Sequence, residues 1–591
     1  MTLLQGYLRA AEELGLERRR GVEEALKAVE EAGAAILVAP TAYGKSTASL
    51  ALGLAAYERL WEEGFAKVLH VLPMSSIVED LYYKALRRVL KRGGGLDRLE
   101  AEALEEGVEW IGYQTWALDS PLKDPLYIKS TLIYTTFDSF VLNLFKVTPM
   151  RSLRAPYEAA RAAIMRSIAV LDEAHLYASV DSVKTFTALV GALRELRRFR
   201  VPTLVATATM PSVLMEVLRK ELEAPAVVVT SVGCGEGLEE QTPGGEVEAE
   251  LVRGGDPVEL AASAGGKVLM VFNTVRRAVS AYKRLRDRGV DAVLIHGRLT
   301  LGDRRRAVSA LEGARVVVAT QVVEAGVDLS ADVLITDFAP LPSLVQRIGR
   351  VARRGGRGLA YILPRRGEDS LVYNEAELKA TEEVLREYSW GRDVQWRYLC
   401  RREKRSYVAA LDKFGEKAYG ALELRLDTSL LNALYVLSGV AVSHRTDALR
   451  AMEKFCGFVH NSAAVPVITC TKYDKGCLAM VDIDYLSRRR GEKTVAEILL
   501  VDERRRVKAL VLSSVELRGC KTVEEGVYLC EVDAEVLLRG DGSVDCRKAL
   551  RLEYEVFKRL GFEEAPSATL LGLYTGRYVH GLGFEVDVDG A

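Results

Sequence analysis

The chain has 591 residues, of which 49% are hydrophobic and 28% charged, with a formal net charge of −1; its mean hydropathy is +0.04. This composition excludes a disordered chain and a globally basic surface, and it predicts a folded protein of about four domains. Charges interrupt every apolar run before the ~20 residues of a spanning helix, so no membrane partner is expected, and any nucleic-acid contact must be a local groove. The opening MTLLQGYLRAAEELGLERRR sets Glu12, Glu13 and Glu17 among leucines. That is an amphipathic helix and not a signal or transit peptide, and it predicts a cytoplasmic protein. Helical spacing from about Leu8 to Glu31 makes this segment a lead-in that packs on a first sheet.

Next comes AILVAPTAYGKSTASL: an apolar strand, a tight turn and a helix start. The turn Ala39, Pro40, Thr41, Ala42, Tyr43, Gly44, Lys45, Ser46, Thr47 matches a phosphate-binding loop. Its backbone N–H groups and the helix N-terminus suit the β- and γ-phosphates of ATP, Lys45 adds a positive charge, and Ser46 offers an oxygen to Mg²⁺. To about residue 233, apolar runs alternate with amphipathic helices in KVLHVLP, STLIYTT, SIAVLDEAH, VPTLVATAT and APAVVVTSV, which predicts a parallel α/β domain. Gly233 to Asp256 is rich in Gly, Glu and Pro and reads as a linker over 234–256. KVLMVFNT, DAVLIHGR, ARVVVATQ, DVLITDFA and LAYILP repeat the alternation through 257–400. Residues 401–591 turn to helices and then short strands, an α+β accessory domain without a readable motif. Arg488 to Arg490 and Arg504 to Arg506 read as a solvated face before a backbone-binding patch.

All the cysteines but Cys234 lie from Cys400 onward, with no CxxC pair. Buried thiols are the default in a cytosolic chain. The abundance of Arg and Glu over Asn and Gln resembles thermophile proteins; in such a source Cys470 with Cys477, or Cys520 with Cys530, would be bridged.

Two carboxylates, Asp172 and Glu173, end the buried strand Ile168 to Leu171, where ligands of α/β sheets bind. Asp172 is expected to hold Mg²⁺, and Glu173 to orient and deprotonate the attacking water. With the phosphate loop, this DEAH string resembles the superfamily 2 helicases, which implies two tandem RecA-like domains. That resemblance assigns His175, Thr207 and Thr209 to coupling hydrolysis with domain movement. It identifies TQVVEAGVD (Thr320 to Asp328) and QRIGRVARRG (Gln346 to Gly355) as motifs V and VI. Gly326 and Asp328 are then nucleotide contacts, and Gln346, Arg350 and Arg353 reach the γ-phosphate from the second sheet. It places single-stranded nucleic acid across Pro73, Met74, Ser75, Thr136, Asp138, Asn273, Thr274 and Thr320, all at strand ends suited to gripping phosphates.

PTAYGKS, FNTVRRA, HGRLTLGDRR and DVLITDFAPLPSLVQRIGRVARRG are most similar to the CRISPR-associated helicase of type I interference systems, over about residues 33 to 390. The resemblance implies an ATP- and Mg²⁺-dependent DNA helicase moving 3′ to 5′ on single-stranded DNA, recruited to an RNA-guided surveillance complex. Another superfamily 2 motor, acting on RNA or on duplexes, and an ATP-gated nucleic-acid scaffold are the alternatives. The family often has Gly at Ala42 and Thr at Ser46, and its adenine-reading glutamine is not evident in RRRGVEEALKA. Many relatives carry an N-terminal HD-type nuclease. Here about 35 residues precede the phosphate loop, and the six histidines include no His-Asp dipeptide, so a separate nuclease chain is the expected partner.

Overall fold

A computed structural model of the chain describes residues 2–40, 43–59, 66–115, 122–124, 126–146, 157–177, 183–208, 210–241, 244–252, 254–324, 329–419 and 426–439. Beyond these it describes only 464–469, 477–482, 506–513, 521–524, 527–533, 568–573 and 578–584. Thr41, Ala42, Thr209, Gly326, Asp328, Cys470, Cys520, Arg488 to Arg490, Arg504 and Arg505 lie outside the described residues.

The lead-in is two helices, α1 (Leu3–Glu13) and α2 (Arg20–Ala32). Gly15, at φ 58°, breaks the single helix that the spacing suggests. Thr2 and Gln5 form a capping box on α1, and Gly33 ends α2 at φ 78°. α1 packs on α3 (Lys45–Tyr57) and α2 on the first strand.

The first sheet comprises β1 (Ala34–Val38), β2 (Lys67–Leu72), β3 (Ile111–Gln114), β4 (Leu132–Thr136), β5 (Ser167–Leu171), β6 (Thr203–Thr207), β7 (Ala226–Ser231) and β8 (Leu238–Glu240). Their order is β3-β4-β2-β5-β6-β1-β7-β8, with β1 parallel to β6 and β7, and β2 parallel to β4 and β5. Strands β1, β4, β5 and β6 are buried at every position. Helices covering both faces of a parallel sheet demand such unbroken apolar runs.

The second sheet comprises β9 (Glu246–Leu251), β10 (Val268–Val271), β11 (Ala292–Ile295), β12 (Val316–Ala319), β13 (Val333–Thr336) and β14 (Arg357–Ile362), in the order β11-β12-β10-β13-β14-β9. The segment read as a linker therefore supplies an edge strand to each sheet. In EVEAEL the charges alternate with apolar residues, which suits an edge with one face in water. Cys234 and Cys400 form a disulfide that joins this segment to the chain leaving the second sheet, a pairing the spacing of the cysteines did not suggest.

Residues as far as Leu431 group with the two sheets, beyond the boundary read at 400. Helix Tyr407–Tyr419 packs on helix Ser212–Leu222. Gly415 permits the close approach, because a Cβ there would stand 2.5 Å from Pro211 Cβ.

The second compact unit gathers residues 142–158, 294–310 and 432–591. Its mixed sheet comprises β15 (Ala464–Ile468), β16 (Leu478–Asp482), β17 (Arg506–Ser513), β18 (Lys521–Glu524), β19 (Val527–Asp533) and β20 (Ala568–Leu573), in the order β16-β15-β20-β17-β19-β18. Cys477 is disulfide-bonded. A hairpin of β21 (Tyr578–Val579) and β22 (Gly583–Phe584) docks on the loop His296 to Asp303. There the Tyr578 hydroxyl donates to Asp303 Oδ2 at 2.6 Å, and Gly581 N–H donates to the same oxygen at 2.8 Å. Among the described residues no helix is long and apolar enough to cross a membrane.

Candidate nucleotide site

β1 turns into α3 through Gly44, whose φ of 91° is strained for any residue with a Cβ. Lys45 opens α3 and is buried, its Nζ donating to the carbonyls of Ala39 and Pro40 at 3.0 Å each. The ammonium is thus held inside the loop by two neutral acceptors. The Tyr43 hydroxyl accepts from Gly21 N–H at 2.9 Å and donates to Glu240, which ties the loop to the first turn of α2 and to β8. Thr47 is exposed and bonds back to the Gly44 carbonyl at 2.8 Å.

Because β1, β6 and β5 are neighbours, their carboxyl ends bring sequence-distant groups together. The Ser46 hydroxyl donates to Asp172 Oδ2 at 3.0 Å, and Asp172 Oδ1 accepts from Glu173 N–H at 2.9 Å. Two oxygen donors, a hydroxyl and a carboxylate, meeting at the end of a parallel sheet suit a hard divalent cation such as Mg²⁺, which Ser46 and Asp172 would hold. Burial pushes the Asp172 carboxyl up, but His70 and Lys45 outweigh it and hold the group below the usual carboxylate range. Glu173 goes the other way. Burial, then the Asp172 charge, raise it to about 7, against the opposing pull of Lys45, Arg350 and Arg353. A carboxyl tuned there suits a general base at neutral pH. Glu173 also holds a left-handed φ of 52°, a strain typical of functional turns.

His175 Nδ1 lies 2.9 Å from Thr207 Oγ1, joining the carboxylate turn to the end of β6. Burial, then Lys45, depress this imidazole to about 3, so it stays neutral.

On the second sheet, helix Leu341–Ile348 carries Gln346, which is buried. Arg350 donates to the Glu324 carbonyl at 2.7 Å, and Arg353 N–H to Ser330 Oγ at 3.1 Å. Between Gln346 and Arg350 stands Arg347, fully buried. Its guanidinium donates to Glu324 Oε1 at 2.8 Å, Thr336 Oγ1 at 2.8 Å, the Asp337 carbonyl at 3.2 Å, Asn273 Oδ1 at 3.1 Å and Tyr373 Oη at 2.7 Å. Burial works against this charge, but Tyr373, Glu324 and Asp337 outweigh it and raise the arginine above its ordinary pKa.

The residues expected to touch nucleic acid divide into two groups. Pro73, Met74 and Ser75 follow β2 and are partly exposed. Asp138 is half-buried in the first turn of helix Phe137–Leu144, whose Ser139 N–H is capped by the buried Thr136 at 3.3 Å. Thr274 caps helix Val275–Asp287, and Thr320 is buried at the end of β12. Asn273 is engaged inside its own domain: Nδ2 donates to the Phe338 carbonyl at 2.7 Å and Asp369 Oδ1 at 2.8 Å, and Oδ1 accepts from Arg347.

Sequence reading missed His70, Glu324 and Arg347. A polar ring inside the apolar run KVLHVLP was the available signal for His70; local sequence carried none for Glu324 or Arg347.

The DEAD/DEAH box helicase family matches residues 20–217, and the C-terminal region of the CRISPR-associated nuclease/helicase Cas3 family matches residues 264–356. The CRISPR-associated helicase Cas3 of Thermoproteus tenax is 28% identical over 374 residues, covering 60% of this chain and 59% of that protein. The CRISPR-associated nuclease/helicase Cas3 of Methanothermobacter thermautotrophicus is 23% identical over 464 residues, covering 72% of this chain and 51% of that protein. The crystal structure of T. fusca Cas3 superposes with a TM-score of 0.54 at 17% identity, over 78% of this chain and 60% of that one, a likeness of fold. The chain thus spans little more than half the length of these relatives. With both sheets and both family regions in place, the chain carries a DEAD/DEAH box helicase region followed by a region matching the C-terminal part of the Cas3 family, and it is similar to the CRISPR-associated Cas3 helicases across both.

Proposed function

We propose that the chain hydrolyses ATP between its two sheets and uses the cycle to move 3′ to 5′ along single-stranded DNA, unwinding target DNA in type I CRISPR interference. The observation that carries this reading is the meeting of Lys45, Ser46, Asp172 and Glu173 at one sheet edge, with Arg350 and Arg353 acting on the Glu173 charge from the second sheet.

In this mechanism Lys45 exchanges its two carbonyls for phosphate oxygens, and the loop N–H groups and α3 N-terminus hold the β- and γ-phosphates. Ser46 and Asp172 would hold Mg²⁺, which would neutralise charge on the phosphoryl oxygens. Glu173 accepts the proton of the attacking water. Arg350 and Arg353 compensate the charge that spreads over the transferring phosphoryl group, an effect of roughly 10³ to 10⁵ in rate for such arginines. Gln346 lines the same face, and Gly326 and Asp328 complete the nucleotide contacts. Through His175 and Thr207, with Thr209, departure of phosphate reaches β6 and the strand-end residues. Pro73, Met74, Ser75, Thr136, Asp138, Thr274 and Thr320 grip the DNA backbone there, with Asn273 ordering the loop beneath.

The partners in this reading are a separate HD-type nuclease chain and an RNA-guided surveillance complex, and the compartment is the cytoplasm. The deciding experiment is strand displacement on tailed DNA and RNA duplexes of both polarities, with ATP and Mg²⁺. Unwinding of 3′-tailed DNA is expected. Robust RNA unwinding without it would favour an RNA motor, and ATP-dependent binding without displacement would favour a scaffold.

A further inference from the structure

β2 runs through the interior of the first sheet, and every residue after Lys67 is buried. Val68, Leu69, Val71 and Leu72 are what a doubly covered strand requires. His70 is not. Its ring is wholly excluded from solvent. It is registered with Tyr134 on β4 and Val170 on β5 and lies 5.4 Å from the Tyr134 ring. Neither ring nitrogen has a hydrogen-bond partner among the described residues, an arrangement that buried polar groups generally avoid. Nε2 lies 3.4 Å from Asp172 Oδ2.

That oxygen is the one Ser46 meets. Asp172 is otherwise fixed through its backbone, N–H to the Val71 carbonyl at 3.0 Å, and through Oδ1 on Glu173 N–H. Ser46 meets Oδ2 from the loop, and His70 is placed to constrain the same oxygen from inside the sheet. An imidazole can donate in its neutral form, so it can hold the carboxylate without putting a lysine- or arginine-like charge beside a divalent cation. Ligating carboxylates are commonly held by such outer partners.

We infer that His70 is a positioning residue of the divalent-ion site, orienting Asp172 Oδ2 from inside the sheet. The inference rests on Ser46 and Asp172 being the metal-binding pair. Its test is Mn²⁺ binding to the full chain with saturating ADP, read from loss of the free-ion electron paramagnetic resonance signal. His70→Leu keeps the strand apolar and removes the donor; His70→Gln keeps an N–H near the Nε2 position. His70→Leu is expected to weaken Mn²⁺ binding about 10- to 100-fold, with most of the affinity recovered in His70→Gln. Metal-free ADP binding and the circular dichroism spectrum should be unchanged in both. Unaltered Mn²⁺ affinity in His70→Leu, or equal loss in both variants, would overturn the positioning role. Absence of Mn²⁺ binding by the unsubstituted chain, or full binding by Asp172→Asn, would overturn the metal pair itself and the inference with it.

Discussion

Replacing Arg347 by alanine probes how the second sheet holds its arginines. Five acceptors lose their donor at once, and the Glu324 carboxylate, with a side chain only 9% exposed, loses the guanidinium 2.8 Å away. Breaking a buried pair from one side costs about 3–5 kcal/mol. At about 2–4 °C per kcal/mol for a domain of this size, the transition of the second sheet is expected to fall by about 6–20 °C. Arg347→Met combined with Glu324→Gln removes both charges, keeps the volume and should recover most of that loss. Differential scanning calorimetry on the full chain resolves the transition. ATPase measurements well below it test function, since Arg350 hangs on the Glu324 carbonyl and kcat should fall even where the fold persists. A transition shifted by less than about 2 °C in Arg347→Ala, or a double variant no better than the single one, would refute the reasoning.

Glu173, raised to about 7, accepts a proton only when ionised, so kcat/KM for ATP should climb with pH through a limb centred near 7 and level off above it. Glu173→Gln should abolish turnover while ATP still binds; a limb near pH 4 in the unsubstituted enzyme would contradict this assignment. Thr207→Val removes the partner of His175, and the expected result is ATP hydrolysis retained with fewer base pairs unwound per ATP, measured by parallel phosphate-release and displacement assays. The Cys234–Cys400 bridge spans a sequence separation of 166 residues. Chain entropy puts its stabilisation at about 5 kcal/mol, so Cys234→Ser should lower the thermal midpoint by many degrees, and an unchanged midpoint would remove the bridge from the stability account. Gly415→Ala drives a Cβ into Pro211 and should cost about 1–3 kcal/mol, read from urea midpoints.

The alternation of apolar runs with amphipathic helices made the two parallel sheets legible, because strands buried on both faces must be apolar throughout. The phosphate loop and the DEAH turn were legible for a related reason. Their chemistry depends on local spacing: Gly44 in a left-handed turn, Lys45 and Ser46 on the first helical turn, two carboxylates at a strand end. Local spacing is written directly in the chain. The strands at 238–240 and 246–251 were not legible, since an edge strand with one wet face differs little in composition from a linker.

Contacts made across the fold lay outside what local spacing can carry. Nothing in VQRIG distinguishes a guanidinium that meets phosphate from one enclosed by Glu324, Thr336, Asn273 and Tyr373. Which of three neighbouring arginines is structural depends on the side of helix Leu341–Ile348 that faces its own sheet. Likewise the apposition of His70 with Asp172, 102 positions later in the chain, and the bridging of Cys234 with Cys400 follow from strand order and from the return of the chain after the second sheet. Residue types and their periodicity determined the elements of this protein and the local geometry of the loop around Gly44, Lys45 and Ser46. The tertiary structure alone decided which polar groups meet, because a long-range pair is selected by the packing of whole layers and leaves no repeat or spacing in the sequence.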